Sequence, residues 1–126
     1  MIGYNMVGTK DLAKAGDFFD KVFGVLGINR IMDEDKFIVW GRSMEDSCFS
    51  VCLPYDQKDA KPGNGTMTAF FAENEETVKK AYEAAMANGA TCEGEPGLRE
   101  FGYYVAYFRD LDGNKFNVFY SAAAHA

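Results

Sequence analysis

The stretch YYVAYFRDLDGNKFNVFY, Tyr103 to Tyr120, decides the reading of the fold. Two strand-like runs flank Asp110-Leu111-Asp112-Gly113-Asn114. Gly113 can take a positive φ, and Asp112 and Asn114 can bond their own backbone, so the segment reads as a β-hairpin. Its second strand carries a polar residue, Asn117, among Phe116, Val118 and Phe119. Strand alternation turns Asn117 away from the side that Phe116 and Val118 share.

Outward from the hairpin the chain is a repeat of pattern. The first half has a strand over Ile2–Val7, a cap region at Thr9-Lys10-Asp11 and a helix over about Leu12–Phe23. Leu12, Ala15, Phe18, Phe19, Val22 and Phe23 recur at the spacing of one helical face. Strands follow at about Ile28–Met32, Lys36–Trp40 and Cys48–Leu53, with Asp33-Glu34-Asp35 as a turn. The second half has a strand over Thr66–Phe71 and a helix capped by Asn74, with Glu75 and Glu76 in its first turn. Asn88-Gly89 ends that helix, and strands follow at Ala90–Glu93, Tyr103–Arg109 and Lys115–Tyr120. A single offset lays Tyr4 on Met67, Phe19 on Tyr82 and Val22 on Ala85, so the two helical registers coincide. The linker is Tyr55–Asn64, and Gly94–Gly102 reads as an irregular loop able to border a pocket. The expected architecture is α+β: two βαβββ modules, about residues 1–56 and 64–122, forming curved mixed sheets around a cleft within one domain of residues 1–126.

Composition limits the function. A chain of 126 residues with 48% hydrophobic content can bury one core. The net charge of -6 argues against a nucleic-acid surface. No apolar run is long enough to span a membrane, and the opening MIGYNMVGTKDL does not read as a signal peptide. Three cysteines, Cys48, Cys52 and Cys92, then suggest reduced thiols in a cytoplasmic protein. On one strand Cys48 and Cys52 would stand about 13 Å apart, too far for a disulfide.

The two βαβββ units, the D-x-D-G-N hairpin and the opening V-G-T-K-D-L followed by F-F-D-K-V-F-G-V-L-G together resemble the glyoxalase/bleomycin-resistance/extradiol-dioxygenase superfamily, the vicinal oxygen chelate proteins. The pattern is similar to short bacterial glyoxalase-like proteins, which have P-G-N-G-T before the second-half strand and G-L-R before the final hairpin. This chain has Pro62-Gly63-Asn64-Gly65-Thr66 and Gly97-Leu98-Arg99. An EF-hand reading of D-x-D-G-N fails, because Tyr120 stands where the loop needs Glu.

The resemblance implies metal ligands on the first and last strands of each half. Carried over by position, they fall on Tyr4, Cys52 (with Ser50 next), Met67 and Asn117. That set has no His and no carboxylate, and a neutral phenol and a thioether are poor ligands for Zn²⁺, Ni²⁺, Mn²⁺ or Fe²⁺. The only His is His125, in the tail. No metal and no cofactor is therefore expected.

By parity, Tyr4, Met6, Cys52, Met67, Ala69, Asn117 and Phe119 face away from the helix-packed sides. They make an apolar surface with a few polar points, the chemistry of a small-ligand pocket. Arg99 and Arg42 are the candidate anion contacts, Arg99 the better placed. Tyr4 reads either as a hydrogen-bond donor to a carbonyl or as an aromatic pocket wall, and Asn117 either as a structural or as a ligand-orienting amide. The first expectation is a metal-independent protein that binds a small, partly apolar organic molecule in the cleft between modules. The alternative is a lyase or isomerase, similar to lactoylglutathione lyase, acting on a small carbonyl or thiol-conjugated substrate, either metal-independent or with an atypical metal site. A third reading is a dimer with a vestigial pocket. The resemblance and the aromatic strands both lead to the expectation of a homodimer.

Overall fold

The computed structural model describes residues 1–121, so His125 lies outside the described residues. The elements run β1 (Tyr4–Gly8), α1 (Leu12–Val25), β2 (Asn29–Asp33), β3 (Phe37–Gly41), β4 (Cys48–Cys52), β5 (Thr68–Phe71), α2 (Glu75–Ala87), β6 (Thr91–Leu98), β7 (Tyr103–Arg109) and β8 (Lys115–Ser121). They form two four-stranded mixed sheets of matching order, β1-β4-β3-β2 and β5-β8-β7-β6. In each, the first strand pairs parallel with the last and the other pairs are antiparallel. The α+β repeat read from the sequence is thus the observed architecture.

Local chemistry starts both helices as expected. Asp11 accepts from the Lys14 amide at 3.1 Å, and Asn74 accepts from the Thr77 amide at 2.8 Å. Each satisfies one of the donors that a helix start leaves unpaired. Helix α1 runs past Gly24 to Val25, two residues beyond the expected end.

One expectation needs correction. Gly94–Gly102 is not a loop throughout: β6 continues to Leu98, and only Glu100–Gly102 forms a 3₁₀ turn. Gly94, Pro96 and Gly97 are weak strand formers, but β6 is the sheet's outer strand, and its pairing slips between Cys92 and Gly94 and again between Gly94 and Gly97. A proline and bulges are tolerated at an edge, where an amide need not donate to a neighbour.

The core lies between the modules. Phe19 is fully buried and touches Phe18, Phe23, Trp40, Phe49 and Phe116, with ring centroids 5.0–5.6 Å away. Phe49 of the first sheet meets Phe70 and Phe116 of the second at 5.3 and 5.6 Å. The helix-bearing faces of both sheets therefore point toward one another, and α1 also packs on α2. Where the edge strands meet, Thr68 Oγ1 donates to Asn5 Oδ1 at 2.7 Å. These two residues hold equivalent places in the two modules, so the bond sits on the pseudo-two-fold relating them.

The two motifs from opposite ends of the sequence meet in space. Asp110 Oδ1 accepts from the amides of Asp112 and Asn114, both at 2.9 Å, which shapes the turn, and Gly113 takes φ +85° there. The turn then holds the end of β1. Asn114 Nδ2 donates to the Gly8 carbonyl at 2.9 Å. Asp112 accepts from Thr9 Oγ1 at 2.6 Å and from the Lys10 amide at 2.8 Å. The DGN and VGTKD signals are two sides of one clasp between modules.

Candidate functional site

Parity, read from the observed pairing, divides each sheet into a core face and an outer face. In the first sheet Tyr4 pairs with Cys48, Met6 with Ser50 and Gly8 with Cys52, so these side chains share the outer face. In the second, Ala69 pairs with Asn117 and Phe71 with Phe119, while Asn117 pairs with Tyr107 and Phe119 with Val105. Because the core faces meet inside the chain, the two outer faces lie on the far sides of the core. The site residues read from the sequence are accordingly divided between two surfaces.

The second sheet's outer face carries a pocket of about 610 Å³ lined by Ala69, Val105, Tyr107, Asn117 and Phe119, with Arg99, Glu100, Phe101 and Tyr103 along one side. Its volume is ordinary for a small-molecule site. It brings together Ala69, Arg99, Asn117 and Phe119 of the expected set. Met67 lies beside it, with its sulfur accepting from Asn117 Nδ2 at 3.6 Å. Tyr4, Met6 and Cys52 do not line it. A larger groove of about 1070 Å³ follows the seam between modules and includes Asn5, Arg42, Met67 and Phe70. Asn5, one of its lining residues, is already bonded to Thr68.

Asn117 separates these two spaces chemically. It is 6% exposed, and its Oδ1 is buried without a hydrogen-bond partner among the described residues. A buried acceptor left unpaired costs about 1–3 kcal/mol. Its neighbours on the pocket wall are apolar or aromatic: Phe119 packs on Phe71 at 4.8 Å and edge-on to Tyr103 at 5.6 Å.

Arg99 is seated by glycines. Its Nη2 donates to the Glu95 carbonyl at 2.7 Å. A methyl group on Gly97 would lie 2.7 Å from Nη1, and one on Gly94 would lie 3.3 Å from Nη2. The guanidinium occupies room that only glycine leaves on that bulged strand. Phe101 then crosses the pocket's side with φ +65° and 88% exposure, followed by Gly102 at φ +78°. A bulky residue in the left-handed region costs about 1–2 kcal/mol, and such strain concentrates at ligand clamps. The sequence signal for this turn was the G-L-R motif and Gly102, and Phe101 falls within the stretch expected to border a pocket; nothing marked Tyr103, Val105 or Tyr107 as pocket residues.

The family profile described as the Glyoxalase/Bleomycin resistance protein/Dioxygenase superfamily matches residues 1–118. Among solved structures, a glyoxalase/bleomycin resistance protein from Albidiferax ferrireducens T118 is 32% identical, with a TM-score of 0.88 over 95% of this chain and 98% of that one. A glyoxalase/bleomycin resistance protein/dioxygenase family enzyme from Burkholderia phytofirmans PsJN is 22% identical, with a TM-score of 0.75 over 94% of this chain and 96% of that one. Lactoylglutathione lyase from Agrobacterium tumefaciens shares the fold at 16% identity, with a TM-score of 0.67 over 95% of this chain and 92% of that one. No curated protein matches the chain.

The positions that carry metal ligands in metal-using members do not suit a metal ion here. Tyr4 and Cys52 lie on one outer face and Met67 and Asn117 on the other module. Burial pushes the Cys52 thiol above its ordinary range, away from the thiolate that binds metal. The Met67 sulfur is already engaged by Asn117. Among the described residues no three His, Cys, Asp or Glu side chains cluster. A phenol, a protonated thiol, a thioether and an amide are a poor donor set for a hard dication.

Proposed function

The chain belongs to the Glyoxalase/Bleomycin resistance protein/Dioxygenase superfamily, and from that premise we propose that it binds a small, partly apolar organic molecule directly, without a metal bridge, on the outer face of the second module. The observation that carries this is the unpartnered Asn117 Oδ1 in an otherwise apolar wall. The A. ferrireducens relative, whose name includes bleomycin resistance, supports a sequestering role as much as a catalytic one. Lyase or isomerase chemistry would need a donor to polarise a carbonyl. Asn117 Nδ2 is instead turned to Met67, and the free atom is an acceptor. At Asn117 that arrangement favours binding over turnover, while the unused N–H groups of Arg99 stand at the pocket's side as charged donors.

The protein acts as a homodimer in this reading. Tyr4, Met6, Met67, Phe71 and Leu98 are all exposed apolar side chains on the outer faces and their rims. A second copy covers such surface by placing one chain's first module against the other's second, which would also return Tyr4, Met6 and Cys52 to the site. The test is an NMR titration of the isotope-labelled protein with a panel of small organic molecules. Binding should shift the backbone and side-chain amide resonances of Asn117 and the amides of Tyr107 and Phe119. A panel that moves none of them sinks the reading.

A further inference from the structure

The pocket's polar groups define the ligand class more narrowly, on the basis of the binding reading above. We infer that the ligand is a planar aromatic monoanion with a hydrogen-bond donor at the end remote from its charge. Three independent features converge on it.

The first is Asn117. Its Oδ1 is an acceptor already stripped of water and left unpaired. The atom has almost no exposed surface, so the amide must turn slightly toward the pocket; a ligand hydroxyl or N–H then met recovers the lost hydrogen bond, whereas an ether oxygen placed there faces a second acceptor. The second is Arg99. Among the described residues no carboxylate pairs with it, and its one hydrogen bond uses a single N–H of the guanidinium's five. The fixed seat over Gly94 and Gly97 holds the remaining donors in place. Arginine suits a carboxylate because its planar fork matches two oxygens at once. Glu100 shares the same side of the pocket, so a second negative charge on the ligand would be repelled.

The third feature is the aromatic lining. Phe119 and Tyr103 stand edge to face on the wall, and Phe101 hangs over the side with almost no protein contact to justify its exposure or its positive φ. A flat ring lying between Phe119 and Phe101 gives Phe101 the packing it lacks, in the geometry that aromatic pairs favour. Asn117 in the wall and Arg99 at the side then meet the donor and the charge at different ends of the ring system.

A two-ring probe tests this with the intact protein. The set is a hydroxynaphthoate carrying hydroxyl and carboxylate at opposite ends, its methyl ether, and the naphthol without the carboxylate, titrated by calorimetry and by NMR. The hydroxynaphthoate should bind best. The ether should be weaker by about tenfold, the weight of one good hydrogen bond, and the naphthol by about two- to fivefold, the weight of one exposed charge pair. Asn117→Ala should erase the difference between hydroxyl and ether while keeping that between acid and naphthol. Arg99→Gln should do the reverse. Equal affinities for all three probes, with the Asn117 and Tyr107 resonances shifting, would overturn the ligand class and leave the binding reading standing. If no hydroxynaphthoate binds while other small molecules move those resonances, the class is likewise wrong. No response from any molecule overturns both.

Discussion

Replacing Phe19 with alanine should be among the most destabilising single changes in this chain. The ring is fully buried and touches five other aromatic rings drawn from α1, both sheets and both modules. Phe→Ala in a core costs about 3–5 kcal/mol, and the cost rises with the cavity left behind. Here the cavity cannot easily collapse, because its walls are rigid rings held by two separate sheets. We therefore expect a loss near 4 kcal/mol, which at about 4 °C per kcal/mol lowers Tm by about 16 °C. Trp40 is the only tryptophan and lies 5.6 Å from the Phe19 ring, so its fluorescence follows this region during urea unfolding. Wild type should unfold in one transition by fluorescence and by circular dichroism, because the core joins the modules. A loss below about 1.5 kcal/mol with an unchanged m value would refute the shared-core argument. Two wild-type transitions would refute it as well.

Other expectations follow from single features. Asp112→Ala removes the acceptors of Thr9 Oγ1 and the Lys10 amide, and should cost about 1–3 kcal/mol by urea melt; no change would show that the clasp is incidental. Burial lifts the Asp110 carboxyl from 3.8 to about 6, against the hydrogen bonds from Asn114 and Asp112 and with the Asp112 charge adding to the rise. Between those two values the native state holds the proton and the unfolded chain does not, so this group's contribution to stability is greatest at low pH and falls as pH rises toward 6. The separation converts to on the order of 3 kcal/mol, and Asp110→Asn should flatten stability across that window. If wild type and variant have the same pH profile, the carboxyl is not perturbed. Phe101→Gly should leave stability unchanged or slightly higher, since glycine tolerates positive φ, while weakening ligand binding several-fold; lower stability with full binding would reverse that assignment. Elemental analysis of purified protein should find well under one Ni, Zn, Mn or Fe per chain, and a stoichiometric metal lost on Asn117→Ala would overturn metal-independent binding.

Local rules were enough to place most elements in the sequence. Capping by Asp11 and Asn74, the apolar stripe of Phe18, Phe19, Val22 and Phe23, and the Asp110–Asn114 turn all act over a few residues, so their signals survive in the linear chain. Alternation also gave the right partition of side chains in the second sheet: Phe116 and Val118 point inward, and Asn117 and Phe119 share the other face. Leu53, the last residue of the expected strand Cys48–Leu53, falls beyond the end of β4 and is exposed.

Alternation does not say which face of one sheet meets which face of the other. That depended on packing between residues far apart in sequence, above all Phe49 against Phe70 and Phe116. Once the core faces met, Tyr4, Met6 and Cys52 were carried away from Asn117, although parity had put them in one class. The same applies to the pocket's polar groups. Arg99 is held by space over Gly94 and Gly97 on a strand that slips register, and Asn117 Oδ1 is unpaired because Met67 and apolar neighbours surround it. The sequence determined a repeated βαβββ chain with a weak donor set at its ligand positions, because those properties are local or additive. The tertiary structure alone decided where the pocket lies and which atom in it lacks a partner, because burial and unsatisfied hydrogen bonds exist only once distant segments have packed.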